Sequence, residues 1–381
     1  GFRDGAAGRK LIEKIRAAAG NEPVTLMEVC GTHTVEFFRS GLRKALSGAV
    51  RLVSGPGCPV CVTPNSTIDR AIAYARMPDV TVATFGDMIR VPGSESSLEQ
   101  ARAEGADAGI FYSTLDAVSF AEKHRDRQVV FIGIGFETTT PTVAAAILRA
   151  ERARLKNFTV LCAHKTIPPA LDGLATSGDD ISLKGFLCPG HVSAIIGSNA
   201  YRPIAEKRRM PCVIAGFEPL DMLQGIEMLV AQVKSGRAEV EVQYSRAVRP
   251  EGNKKALAIL DEVFEPADSE WRGLGVIPCG GLRIRDRYSE FDAERRWPVE
   301  IPAPKEHPGC RCAEILLGKI TPADCSLFAK TCTPETPAGA CMVSSEGTCA
   351  AHYKYGIDCL LYTSDAADDL LCVDLGGRRI I

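Results

Sequence analysis

The chain has 381 residues, of which 45% are hydrophobic and 24% are charged, and its formal net charge is −2. This composition is typical of a globular protein with two or three domains. The near-neutral charge provides no strong field for nucleic acid or an anionic membrane, and no apolar run reaches the roughly 18 residues of a membrane span. We therefore expect neither nucleic acid nor a membrane as a partner.

Fifteen cysteines are present, and no charged and then apolar export signal opens the sequence. In a reducing cytoplasm, cysteines bind metals or carry electrons more often than they form structural disulfides. We therefore predict a cytoplasmic protein with metal or redox chemistry. The isolated cysteines Cys162, Cys188, Cys212 and Cys279 are expected to be small buried hydrophobes.

Short apolar runs alternate with helical periodicity through the first two thirds of the chain. The predicted strands are residues 25–30, 50–53, 80–85, 129–132, 158–162 and 211–215, and the predicted helices include 35–46, 67–76 and 141–154. This alternation is typical of parallel sheets covered by helices. We predict an α/β fold in which two Rossmann-like parallel-sheet domains, residues 1–128 and 129–240, face a cleft.

The composition changes from about residue 240, where prolines become frequent and six cysteines then follow within residues 310–349. We predict a smaller third region, residues 241–356, that is organised by a metal centre rather than by a large core. Residues 357–381 fit no earlier pattern, and we expect them to be a non-native tail.

Cys30 and His33 lie in a Cys-Gly-Thr-His segment where a predicted strand gives way to a predicted helix. In parallel sheets that edge binds ligands, and the start of a helix favours a thiolate. The pair suits a nucleophile or a soft metal ligand. The alternative is a turn with a buried cysteine and a capping threonine.

Cys58 and Cys61 form a C-x-x-C motif within the turn sequence Gly-Pro-Gly-Cys-Pro-Val-Cys. This spacing permits a redox disulfide of the thioredoxin type. It also supplies half of a zinc site, but no second C-x-x-C completes one. The alternative is a pair of unrelated thiols in a loop.

Two further residues are candidates for catalysis. Glu137 follows a predicted strand in a hydroxyl-rich loop, where it suits a proton carrier beside a bound anion. The loop contains only a fragment of the dinucleotide-binding glycine pattern. His191 ends another apolar run, in Cys-Pro-Gly-His. The alternatives are helix capping at the first loop and an ordinary hydrogen-bonded histidine at the second.

The six clustered cysteines are the strongest signal of chemistry in the chain; they are Cys310, Cys312, Cys325, Cys332, Cys341 and Cys349. Four thiols can hold an iron–sulfur cluster, and two more can form a redox-active pair beside it. The spacing fits neither a zinc ribbon nor a radical cluster of the S-adenosylmethionine type. Structural zinc stays as the alternative.

Taken together, these segments resemble the HypD family of hydrogenase maturation proteins. The matching stretches are residues 27–33, 55–61, 135–141, 189–192, 216–219 and 310–355. The resemblance implies a scaffold on which the Fe(CN)2CO unit of nickel–iron hydrogenase is built for the hydrogenase large subunit. A chaperone, HypC, would share the iron, and HypE would deliver cyanide that HypF makes from carbamoyl phosphate.

The resemblance also implies roles for the cysteines. Cys30 would be the iron ligand, with His33 close by, and Cys58 with Cys61 would be a redox dithiol near the same cleft. The six-cysteine region resembles ferredoxin–thioredoxin reductase, in which a disulfide lies beside a 4Fe–4S cluster. That likeness implies a division of the six; the ligands would be Cys310, Cys325, Cys332 and Cys349, and the redox pair would be Cys312 and Cys341.

We hypothesise that electrons pass from the cluster to the Cys312/Cys341 pair, then to the Cys58/Cys61 pair, and then to the iron at Cys30. Two alternatives stay open. One is a free-standing disulfide reductase that acts on other proteins, for which Cys30 is dispensable. The other is a purely structural iron–sulfur scaffold in which the dithiols are incidental.

Overall fold

The structure is a computed structural model, and it describes residues 3–176 and 181–356. The predicted tail, residues 357–381, lies outside the described residues. The strands are β1 (Val24–Glu28), β2 (Val50–Ser54), β3 (Val80–Thr84), β4 (Ala108–Ile110), β5 (Gln128–Gly133), β6 (Phe158–Cys162), β7 (Phe186–Pro189), β8 (Cys212–Ala215), β9 (Val240–Val242), β10 (Phe264–Trp271) and β11 (Gly275–Ile284).

Helices connect most of these strands. They are α1 (Gly5–Ala19), α2 (Gly31–Arg39), α3 (Leu42–Ala45), α4 (Pro59–Val62), α5 (Asn65–Ala75), α6 (Leu98–Ala103), α7 (Thr114–Lys123), α8 (Thr140–Arg152), α9 (Ile167–Thr176), α10 (Gly190–Ile196), α11 (Arg202–Arg208), α12 (Pro219–Ser235), α13 (Lys254–Val263), α14 (Ala293–Arg296), α15 (Cys312–Leu316), α16 (Ala340–Val343) and α17 (Thr348–Tyr355). Within the described ranges, no helix is both long enough and apolar enough to cross a membrane.

Nine of the strands form two parallel sheets, which confirms the predicted α/β class. Sheet A has the strand order β2-β1-β7-β8-β9, and sheet B has the order β4-β3-β5-β6. Every pairing within the two sheets is parallel. Central strands of the sheets, such as β3 and β5, are buried on both faces. Such strands read as continuous apolar runs, and this is why the sequence predicts them well.

The two sheets interleave along the chain instead of following one another. Sheet A takes β1 and β2 from the first part of the chain and β7 to β9 from after sheet B, so that Met27 pairs with Phe186. In sheet B, Val80 of β3 pairs with Gln128 of β5. The boundary expected at residue 128 therefore falls inside sheet B, because hydrophobic pattern predicts a strand without saying which strand pairs with it.

Residues 264–284 form an antiparallel hairpin that packs against sheet B. Phe264 pairs with Ile284 across the hairpin, and both share a buried cluster with Phe131 and Phe158 of sheet B. The first part of the region expected at residues 241–356 thus belongs to the sheet B core. The cysteines that follow instead share a core with the sheet A residue Met27 and with the C-x-x-C loop.

A paired substitution tests how tightly α12 packs on sheet A. A Cβ atom added to Gly225 of α12 would lie 2.8 Å from Leu187 Cδ1 and 2.9 Å from Ala215 Cβ, whereas one added to Gly173 of α9 meets nothing within 4 Å. We expect Gly225→Ala to lower the free energy of unfolding by roughly 1–3 kcal/mol through overpacking. Gly173→Ala should raise it by up to about 1 kcal/mol through helix propensity.

Urea or thermal unfolding of the two variants measures the difference, and each serves as the control for the other. Equal shifts in the same direction would contradict the close approach of α12 to β7 and β8.

Candidate functional site

Cys30 caps the N-terminus of α2, two residues after β1 ends. Its backbone is extended, and only 8% of the residue is exposed. Burial raises the pKa of the Cys30 thiol to about 12, against the opposing effect of the His33 backbone N–H; the nearby Glu346 carboxylate raises it further. The thiol is therefore protonated in the unliganded protein, and binding a metal there releases a proton.

The C-x-x-C loop lies directly on the Cys30 loop, because β1 and β2 are parallel neighbours whose carboxyl ends meet at one edge. The Gly31 N–H donates to the Gly57 carbonyl at 3.0 Å. A Cβ atom on Gly57 would lie 2.2 Å from the Cys30 backbone nitrogen. Only a glycine at position 57 allows the two backbones to approach this closely.

Cys58 is the N-cap of the single-turn helix α4 and Cys61 lies within it, with the two sulfur atoms 2.6 Å apart. The Cys61 backbone N–H donates to Cys58 Sγ at 3.3 Å. Burial and the neighbouring Cys61 thiol hold the pKa of Cys58 well above its ordinary value. Burial also acts to raise the pKa of Cys61, but hydrogen bonding with Cys341 and Cys58 and the charge of Arg272 lower it below its ordinary value.

Cys341 connects this dithiol to the six-cysteine region. Hydrogen bonds with Cys312, Cys349 and Cys61, together with burial, hold the pKa of the Cys341 thiol well above its ordinary value. Cys58, Cys61, Cys341 and Cys312 therefore lie in one buried core, in which each thiol affects the ionisation of the next. We call this set of four the sulfur chain. A second link between the two segments is Ser344 Oγ, 3.4 Å from Cys58 Sγ.

All six clustered cysteines line one small cavity, with apolar walls from residues such as Ile315 and Phe328. Cys310 is half-buried and the other five are buried. The Ala338 N–H donates to Cys332 Sγ at 3.3 Å, and a Cβ atom on Gly339 would lie 2.8 Å from Cys310 Sγ. Among the described residues, no group of three or more His, Cys, Asp or Glu side chains is arranged to hold a metal ion.

His33 and His191 lie on the same phenylalanine ring. His33 is fully buried, stacks on Phe217 with ring centroids 4.8 Å apart, and has Nε2 2.8 Å from the Gly216 carbonyl. His191 is exposed and stacks on Phe217 at 3.8 Å. Burial lowers the pKa of His33 to about 4 and also lowers that of His191. The structure thus brings together two histidines that are far apart in sequence.

Glu346 is the residue at this site that sequence reasoning missed. Its Oε1 accepts a hydrogen bond from Thr32 Oγ1 at 2.7 Å, and its side chain packs on Gly31. Its charge acts on Cys30, Cys61 and His191. The only signal in the sequence is its position within the last matching motif, between Cys341 and Cys349.

Glu137 has a different setting. Its Oε1 accepts the Ile167 backbone N–H at 3.0 Å at the start of α9, and its buried Oε2 has no hydrogen-bond partner among the described residues. Burial raises the pKa of Glu137 to about 7. This carboxyl therefore accepts a hydrogen bond at the start of α9 and can carry a proton near neutral pH. Thr139, at the N-cap of α8, makes no side-chain capping hydrogen bond.

Comparison with known proteins gives a consistent result. The HypD family model, described as the hydrogenase formation hypA family, matches residues 6–356. A hydrogenase maturation factor HypD of Azotobacter vinelandii is 50% identical over 362 residues, which cover 93% of this chain and 96% of that protein. The HypD of Rhodobacter capsulatus is 46% identical over 368 residues, 93% of this chain and 97% of that protein. A putative hydrogenase expression/formation protein of Methanocaldococcus jannaschii is 45% identical over 357 residues, which cover 93% of this chain and 98% of that protein.

The burial of His33 predicts a specific dependence of stability on pH. The folded protein holds this histidine neutral down to about pH 4, whereas the unfolded chain protonates it below its ordinary pKa of 6.5. The contribution of the neutral His33 to stability is therefore fully present above pH 6.5 and is lost as the pH falls toward 4. Relative to His33→Gln, the wild type should lose about 1.4 kcal/mol for each pH unit in that window.

Unfolding midpoints of both proteins between pH 7 and pH 4.5 check this expectation, with a variant of the exposed His307, His307→Gln, as the control. A gap between wild type and His33→Gln that does not change with pH would contradict a buried neutral His33.

Proposed function

The chain belongs to the HypD family of hydrogenase maturation proteins, and we propose that it is the scaffold on which the Fe(CN)2CO unit of nickel–iron hydrogenase is assembled. The observation that carries this proposal is the sulfur chain. Cys312 and Cys341 line the six-cysteine cavity and share a buried core with Cys58 and Cys61. The loop that carries Cys58 lies in turn on the backbone of Cys30.

The lining of the six-cysteine cavity supports an iron–sulfur cluster as its occupant, because thiols are the ligands that such clusters use. Its donor set is four thiols in apolar surroundings; the ligands would be Cys310, Cys325, Cys332 and Cys349. The Ala338 N–H stabilises charge on the Cys332 sulfur, and the missing side chain of Gly339 leaves space beside Cys310. When bound, a 4Fe–4S cluster would supply single electrons at low potential.

The two dithiols exchange an electron pair through Cys61 and Cys341. The Cys341 thiolate attacks Cys61 Sγ of a Cys58–Cys61 disulfide, which forms a Cys341–Cys61 bond and releases the Cys58 thiolate. The Cys312 thiolate then attacks Cys341 and releases the Cys61 thiolate. In total, the Cys312/Cys341 dithiol becomes a disulfide, the Cys58/Cys61 disulfide becomes a dithiol, and two protons move with the electron pair.

Cys30 binds the substrate iron as a thiolate, the soft ligand that suits iron carrying cyanide and carbon monoxide. The carboxylate of Glu346 disfavours an unpaired Cys30 thiolate. The same negative charge favours a cationic iron at this position, because a bound cation reverses the local electrostatic balance. Binding of the iron then replaces the thiol proton, and the reduced Cys58/Cys61 pair lies in the adjoining loop as its electron source.

Two partner proteins complete the proposal. HypC shares the iron with Cys30, and HypE brings cyanide. A groove of about 580 Å³, lined in part by Thr32, Glu346 and Tyr353, opens next to the Cys30 loop and supports access for a partner. The assembly takes place in the cytoplasm, where the thiols stay reduced.

Infrared spectroscopy of the protein purified anaerobically with HypC tests the ligand assignment. We expect cyanide and carbonyl stretching bands for the wild type and for Cys212→Ala, a buried cysteine away from the sulfur chain. Cys30→Ala should lose these bands to background, because the soft ligand is gone. Bands of wild-type intensity in Cys30→Ala would overturn the assignment and favour a free-standing disulfide reductase.

The order of thiol exchange has a separate test. A protein with both Cys58→Ser and Cys312→Ser keeps only Cys61 and Cys341 of the sulfur chain, so mild oxidation should trap a Cys61–Cys341 disulfide. The matched control, Cys61→Ser with Cys312→Ser, keeps Cys58 and Cys341 and should not form a cross-link between them. Mass spectrometry of unreduced peptides measures both.

Equal cross-linking in the two double variants would rule out Cys61 as the exchanging sulfur. Normal maturation by a Cys58→Ser, Cys61→Ser protein would instead favour a purely structural iron–sulfur scaffold.

A further inference from the structure

The turn between β10 and β11 places a buried arginine against the C-x-x-C helix. The Arg272 backbone N–H donates to the Val62 carbonyl at 2.8 Å, and its Nε donates to the Thr63 carbonyl at 2.9 Å. These two carbonyls follow Cys61 directly in the chain. The hairpin, which packs on sheet B through its other end, is thereby fastened to the dithiol loop.

The guanidinium of Arg272 is buried and incompletely paired. The residue is 4% exposed, and its Nη1 donates to the Glu306 carboxylate at 3.1 Å. Its Nη2 is buried and has no hydrogen-bond partner among the described residues. A buried guanidinium N–H without an acceptor is costly, so a second state of the site in which an anion forms nearby would stabilise it.

Cys61 directly precedes the two residues whose carbonyls accept from Arg272, and its thiol can become that anion. The groups that act on its sulfur are the Cys58 and Cys341 thiols, the Glu346 carboxylate and the Arg272 guanidinium. Among these four, Arg272 alone carries a positive charge. The dipole of helix α4 contributes little to stabilising a Cys61 thiolate, because the helix has four residues and its N-cap is Cys58 rather than Cys61.

We propose that Arg272 is a positioning residue that makes Cys61, rather than Cys58, the thiolate of the C-x-x-C pair. Its charge stabilises the sulfur that leaves when Cys312 resolves the Cys341–Cys61 bond. The assignment of Cys61 as the exchanging sulfur rests on the proposed function, whereas the effect of Arg272 on the Cys61 thiolate does not.

Redox equilibration of the full-length protein tests this role. Wild type and Arg272→Gln are equilibrated with fixed ratios of reduced and oxidised dithiothreitol, quenched in acid, unfolded and alkylated, and the Cys58–Cys61 peptide is quantified by mass spectrometry. At pH 8 we expect the ratio of dithiol to disulfide to fall about tenfold in Arg272→Gln, as for a shift of one pKa unit. The difference should disappear in acid, where Cys61 is protonated in both proteins.

Three comparisons separate an electrostatic role from a structural one. Arg272→Lys keeps the charge and should restore most of the ratio. Arg283→Gln removes an exposed arginine of the same hairpin and should behave as wild type. Glu306→Gln removes the charge that partly neutralises Arg272, at an exposed position, and should shift the ratio toward the dithiol.

The proposal is overturned if folded Arg272→Gln matches wild type at pH 8 or differs from it equally at every pH. If Arg272→Gln does not fold, an unchanged ratio in Glu306→Gln at pH 8 overturns it. The experiment includes no substrate iron and no partner protein, so its failure leaves the assembly scaffold standing. The scaffold proposal fails on a different result, namely cyanide and carbonyl bands of wild-type intensity in Cys30→Ala.

Discussion

The contact between two backbones, at Gly57 and Cys30, is the constraint on which the site depends. Parallel pairing of β1 with β2 brings the two following loops to the same edge of sheet A. The absence of a side chain at Gly57 then lets one loop lie on the other. A hydrogen bond from Gly31 to Gly57 fixes their relative position. The C-x-x-C pair and the proposed iron ligand thus adjoin through main-chain atoms, whose positions vary less than those of side chains.

Much of the fold follows from local pattern. Strands such as β3 and β5 are buried on both faces, so their sequences are continuous apolar runs. One predicted helix, residues 35–46, is divided into α2 and α3 because Gly41 has φ +69°. Position at a strand end also predicts a candidate ligand at Cys30, and spacing within a turn sequence predicts the C-x-x-C pair. Cys341 and Cys61 share one buried core, and the electron path through them stays a prediction.

Other features depend on contacts between distant segments, and local pattern does not encode them. The pairing of β1 with β7 determines which strands share a sheet, yet β7 has only four residues. Glu346 and Arg272 act on Cys61 from two different parts of the chain. In sequence, each is an ordinary charged residue. Their effect arises from burial and proximity, which only the folded chain provides.

The interleaved sheets have a consequence for how the protein is made. Sheet A cannot complete its pairing around β1 until β7 has been synthesised, long after the Cys30 loop has left the ribosome. Contacts of such large sequence separation form slowly. Cys341, Cys349 and Glu346 come later still, near residue 356. A nascent chain therefore exposes Cys30, Cys58 and Cys61 without the segments that later enclose them, and protection of these thiols from oxygen or stray metal during synthesis falls to the cell.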